Sequence, residues 1–319
     1  VLKLKNATVA MGIATVFLSC PTIAKPFAYI TNQLADTVSV IDTSTPQVQA
    51  IIPVLGKPAG VAVAADNGRV YVSVPDAKGV AVIDAHKNSV ISHIQLSEGA
   101  LGIAVSPDNQ HLFVADWYQN NVSVIDTKSL EIVKTILVGK SPSGLIVSHD
   151  NQYLYVANRL SNSVSQVDLK TYQTRNITPV GKHPFGLTLD HKNERLYSAN
   201  VQSDDITVLD AKSMHVIATI QVNKLPYAVT LAKDDSLLFV TNQEDGNVSV
   251  IETKTYTVVK EITVGNKPEG IATHPDDTHV YVANWFDNTV SVIDANSLSV
   301  VETLKTGSGS RAFGQFFSH

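Results

Sequence analysis

Gly102-Ile103-Ala104-Val105 is a short apolar run, and Ser106-Pro107-Asp108-Asn109 after it is a turn signal. His111-Leu112-Phe113-Val114-Ala115 follows as a second strand-like run. A polar loop then leads into Val122-Ser123-Val124-Ile125. Asp126-Thr127-Lys128-Ser129 turns the chain again, and Ile132 to Val138 is a fourth run. Runs of this length, rich in β-branched residues and separated by turns, predict strands of an all-β array.

The same unit recurs along the chain every 42 residues. The aromatic position is occupied by Tyr29, Tyr71, Phe113, Tyr155, Tyr197, Phe239 and Tyr281. An acid stands at Asp42, Asp84, Asp126, Asp168, Asp210, Glu252 and Asp294, and a small residue at Gly60, Gly102, Gly144, Gly186, Ala228, Gly270 and Ala312. Seven such repeats fill residues 25–319 and leave no room for a second domain. Four strands repeated seven times predict a seven-bladed β-propeller, whose circular closure leaves only short strand edges. The first repeat begins at its second strand, Phe27–Asn32, and the missing innermost strand is found at Ala312–Phe317. The closing blade is therefore expected to combine residues 27–54 with 312–317.

Composition agrees with this reading. The 319 residues are 44% hydrophobic and 17% charged, with a formal net charge of −5, and include 43 valines. That excludes intrinsic disorder. It also argues against a nucleic-acid binder that works by neutralising phosphates. One cysteine, Cys20, excludes a disulfide framework, a paired CxxC zinc site and the CxxCH haem attachment. Lys3 and Lys5, the uncharged run Ala7–Ser19 and Thr22-Ile23-Ala24 read as a secretory signal peptide over residues 1–24, cut after Ala24. An apolar run of that length is short for a membrane span. Export to the periplasm or the cell exterior is the expectation, with lipid modification at Cys20 as the alternative.

Tyr155-Val156-Ala157-Asn158 and Tyr281-Val282-Ala283-Asn284, the Val-Ser-Val-Ile-Asp run at 290–294 and the Val-Gly-Asn-Lys-Pro-Glu-Gly linker at 264–270 carry a resemblance. With these motifs the chain resembles the YVTN-repeat β-propellers, exported proteins of bacterial periplasms and archaeal surface layers. The second repeat departs most, with Val74 in place of the Asn and Leu96-Ser97-Glu98-Gly99 in place of the Gly-Lys-Pro linker. The resemblance implies a scaffold, whereas function has to be argued from the site.

Residues repeated in every blade suit turn and cap roles, so function is sought where the repeat breaks. Two columns vary. The loop after the second strand opens with Gln33, Pro75, Trp117, Arg159, Val201, Gln243 and Trp285. In the linker between blades, the position before the small residue holds Ala59, Leu101, Ser143, Phe185, Tyr227, Glu269 and Arg311. Both columns belong to one face of a propeller. That face collects Trp117, Tyr118, Arg159, His183, Phe185, Tyr227, Glu269, Trp285, Phe286 and Arg311, the candidate ligand- or partner-binding residues. Aromatics with a few charges around a concave opening suit recognition.

No nucleophile elbow, zinc-binding helix or phosphate loop is present. No metal site, catalytic residue or cofactor is expected. The leading expectation is an exported, non-catalytic binding propeller whose partner is a protein or a cell-envelope component. The alternative is an enzyme or enzyme subunit, since seven-bladed lactonases and the propeller subunits of quinone-dependent amine dehydrogenases are similar in architecture. That alternative requires Arg159, His183, Glu269 and Arg311 to converge on one point.

Overall fold

The computed structural model describes residues 2, 26–64 and 68–318. The stretch read as a signal peptide, apart from Leu2, lies outside the described residues together with Cys20 and the turn at Asp66. Among those described there are 28 strands and two single-turn 3-10 helices, Pro75–Ala77 and Arg159–Ser161. They build a seven-bladed β-propeller. Each complete blade is a four-stranded antiparallel meander, as in Pro142–Val147, Tyr153–Asn158, Ser163–Asp168 and Gln173–Pro179. No described helix is long and apolar enough to cross a membrane.

Burial along each blade explains the strand patterns. The second and third strands are covered on both faces by neighbouring blades and read as near-continuous apolar runs; Tyr153–Asn158 is buried from its second residue onward. The outermost strand is open to solvent on one side, and Thr257–Thr263 buries only Ile262. The first strands of consecutive blades pack side by side around the axis. There the backbones come so close that a Cβ on Gly102 would lie 1.7 Å from the Ser143 carbonyl oxygen. Only a residue without a side chain fits such an approach.

The recurring polar residues stitch each blade together. Asn158 donates through Nδ2 to Ser163 Oγ at 3.1 Å and Ser165 Oγ at 2.9 Å, and its Oδ1 accepts from Gly139 N–H at 2.9 Å. Asn32, Asn242 and Asn284 donate equivalently across the second and third strands. The acidic column caps the following turn. Asp126 Oδ1 accepts from the N–H groups of Lys128 and Ser129, and these bonds hold its carboxyl below the usual range. A register shift between the third and fourth strands also recurs, from Val40/Ile41 to Val292/Ile293, and adds twist to each blade.

The ring closes through the C-terminal segment. Arg311 N–H donates to Thr31 O at 2.8 Å, Tyr29 N–H to Phe316 O at 2.9 Å and Ser318 N–H to Phe27 O at 2.9 Å. The segment thus occupies the innermost position beside Phe27–Asn32, but it is bulged. It bridges that strand only at Asn32–Ser310 and Ala28–Phe317. Between those points Phe313–Gln315 swings over to pair in parallel with Gly60–Ala64 of the second blade. Gly314, at φ +106°, permits the excursion.

Candidate ligand-binding site

The loop and linker columns are fixed to each other before any side chain enters the site. The N–H of Arg159 donates to Ser141 O at 3.1 Å, and Val201 to His183 O, Gln243 to Leu225 O and Gln33 to Gly309 O bond in the same way. A left-handed residue ends each loop, and in five of the seven blades its Asn or Asp side chain locks the linker from the other side. Asn120 Oδ1 accepts from Ser141 N–H, Asn162 Oδ1 from His183 N–H and Asn288 Oδ1 from Gly309 N–H. Asn tolerates this conformation and reaches neighbouring backbone, which is why Asn and Asp populate the column. The side chains that start the loops and those that end the linkers are thereby aimed at the propeller axis from a rigid frame.

They enclose a cavity of about 370 Å³ at the mouth of the central channel. From the loop column come Gln33, Pro75, Trp117, Arg159, Val201 and Gln243, and from the linker column Leu101, Phe185, Tyr227 and Arg311, with Tyr118 on the rim. Phe185 and Tyr227 stack with ring centroids 4.0 Å apart, and Phe313 meets Phe185 edge-on at 5.3 Å. Both stacked rings are buried, so they form a wall of the cavity as well as part of the core. Tyr118 is exposed.

The charged groups divide into a closed network and one open group. Arg311 Nε lies 2.7 Å from Glu269 Oε2, and an NH2 donor of Arg311 reaches Tyr227 Oη at 2.9 Å. Gln243 Nε2 donates to the other Glu269 oxygen at 2.9 Å. Burial pushes the Glu269 carboxyl up, with Arg311 and Gln243 pulling it back, and burial raises the Tyr227 hydroxyl well above its usual range. Arg159 instead lies over the Trp117 ring, 5.3 Å from its centroid.

Of the sequence-predicted residues, the structure brings together Trp117, Tyr118, Arg159, Phe185, Tyr227 and Arg311, with Glu269 directly behind Arg311. His183, Trp285 and Phe286 do not line the cavity. His183 stands at φ +55° as a linker residue, and burial together with the Arg159 charge lowers its pKa. Trp285 packs on Phe286 at 4.6 Å. Gln33, Pro75, Leu101, Val201 and Gln243 line the cavity from the same two columns but are outside the expected set. Their sequence signal is membership of the column, since their side chains are neither aromatic nor charged. On the opposite face His149 and His191 stack in parallel at 5.6 Å. Among the described residues no group of three or more His, Cys, Asp or Glu is placed to hold a metal ion.

Comparison with known proteins adds the family. A model of the cytochrome D1 heme domain matches residues 25–144 and 199–312, most of the chain, and a model of the seven-bladed β-propeller lactonases matches residues 126–215. Neither of these models is the YVTN-repeat family. No curated protein matches by sequence. Among solved structures, the Kuenenia stuttgartiensis hydrazine synthase matches with TM-score 0.75 and 19% identity, over 89% of this chain and 99% of that one. A functionally unknown protein from Desulfotomaculum acetoxidans matches with TM-score 0.75 and 16% identity, over 91% and 99%. The dihydro-heme d1 dehydrogenase NirN matches with TM-score 0.66 and 16% identity, over 88% of this chain and 63% of that one. At such identities the structural matches speak for the fold alone. The extent of the first family match places this seven-bladed propeller in the cytochrome D1 heme domain family.

Proposed function

We propose that the chain is a recognition propeller, which binds a ligand at the mouth of its central channel without altering it chemically. The observation that carries this reading is the state of the polar groups there. A general base needs a free lone pair within reach of the proton it takes. Glu269 is buried behind Arg311 and is not part of the cavity lining, with the Arg311 guanidinium 2.7 Å from one oxygen and Gln243 donating to the other, and His183 is outside the lining as well. What faces the cavity instead is an apolar and aromatic wall with a few fixed donors, the makeup of a small-molecule or side-chain site. Exposed Tyr118 and Phe286 on the same face offer additional contact area to a protein or cell-envelope partner.

Family membership raises a haem as the ligand, and the donor set does not fit one. Haem iron is held by His, Cys, Met or an ionised Tyr. The cavity lining contains none of the first three. Tyr227 is kept as a phenol by burial and accepts a hydrogen bond from Arg311, while Tyr118 sits on the exposed rim.

A lactonase reading draws on the second family match, which spans Arg159. The two readings separate in one experiment. A thermal-shift screen of small molecules is run on the wild type and on Val201→Trp, which fills the mouth. Hits that raise the wild-type melting temperature and leave Val201→Trp unmoved are expected, because a ligand stabilises only the form that binds it. Hydrolysis of δ-gluconolactone or an acyl-homoserine lactone above the buffer blank, abolished in Arg159→Gln, would replace binding with catalysis.

A further inference from the structure

Two guanidinium groups enter the same cavity in different chemical states. Arg311 is spent: it pairs with Glu269, donates to Tyr227 and lies over the Phe313 ring at 5.4 Å. Arg159 has the Trp117 face beneath it, and no carboxylate among the described residues pairs with it. A guanidinium stacked on an aromatic ring keeps its in-plane N–H donors available, and their fork matches the two oxygens of a carboxylate. The cavity lining itself includes no Asp or Glu. With Arg311 neutralised by Glu269, the mouth presents one uncompensated positive charge.

The remaining walls set the shape of what accompanies that charge. Phe185 and Tyr227 stack on each other and are largely buried, so they give the cavity a narrow apolar edge, with Leu101 and Val201 beside it. Besides the guanidiniums, the lining's polar groups are the Gln33 and Gln243 amides, the Trp117 indole N–H and the Tyr118 and Tyr227 hydroxyls, with Gln243 already bonded to Glu269 and Tyr227 to Arg311, few for the hydroxyls of a sugar acid. A cavity of about 370 Å³ is at the small end of ligand sites. We propose that the cavity selects small aromatic monocarboxylates, with the carboxylate on Arg159 and the ring against Phe185 and Tyr227. This rests on the binding reading above and adds the chemical class of ligand.

The probe pair is 2-naphthoate and its uncharged isostere 2-naphthamide, titrated calorimetrically into the whole protein. Naphthoate is expected to bind roughly tenfold to a hundredfold more tightly than the amide, the range for a hydrogen bond to a charged group. Arg159→Gln should remove that preference while leaving the amide affinity within about twofold. Arg159→Lys, which keeps the charge and loses the fork, should fall between them and serves if Arg159→Gln does not fold. Equal affinity of acid and amide for the wild type, or an unchanged preference in Arg159→Gln, overturns the assignment. If both compounds then also lose affinity in Val201→Trp, the binding reading survives and only the ligand class fails. If neither compound binds the wild type, the ligand class is overturned, and the binding reading stands or falls on its own screen.

Discussion

At the residue scale, one side chain can do structural work that its column advertises. Asn158 is fully buried and serves three partners, so Asn158→Ala leaves two buried hydroxyls and the N–H of half-buried Gly139 without it. Leaving buried polar groups unsatisfied costs about 1–3 kcal/mol each, discounted where the hydroxyls can rotate to other acceptors. A loss of about 3 kcal/mol in urea unfolding is expected, with the cavity residues untouched. An unchanged midpoint would show that the clamp carries no stability. The column was legible because it repeats. Its exceptions were legible too: Val74 supplies no amide in the second blade, and in the third Asp116 accepts from Tyr118 N–H and Ser97 Oγ instead.

At the element scale, the turn between the first two strands of the last blade concentrates titratable groups. Asp276 is opposed by burial, but the Thr278 N–H, His279 and His274 outweigh it and hold its carboxyl down to about 2. The folded value lies below the ordinary 3.8, so the turn's contribution is present above pH 4 and is lost as pH falls toward 2. The acid limb of a stability profile should therefore flatten in Asp276→Asn relative to wild type between those values. An identical limb in the two proteins would rule the turn out as a source of acid lability. The sequence showed a turn at this place. It did not show that His274 also contacts Thr43 and Phe317 from the other side of the ring seam, because those partners are more than forty residues away in either direction.

At the scale of the whole molecule, stability depends on closing the ring. Residues 308–318 supply the inner strand position of the first blade, pair with the second and bury Phe316 and Phe317. Deleting residues 310–319 opens the seam and exposes both faces it covered. Losing a buried Phe alone costs about 3–5 kcal/mol. A drop in melting temperature well beyond that of an ordinary terminal trim is expected. An unchanged temperature would mean that the ring holds without its seam. The bulged path of the segment was invisible in the sequence. Matching the repeat predicts a strand position, whereas Gly314 and the crowding at the axis decide where hydrogen bonds form.

What the sequence determined by itself was everything that repeats: blade number, strand order, the recurring polar positions and the two columns that vary on one face. Periodicity encodes these because each blade solves the same local packing problem, so seven copies report one answer. What only the tertiary structure decided was how members of those columns meet across blades. Arg311 is closed off by Glu269 and Tyr227 while Arg159 stays open, and Trp285 packs away from the cavity that Trp117 lines. Those outcomes depend on distances between side chains on different blades. A column spaced by 42 residues says which side chains share a face, and the geometry of the ring says which of them touch.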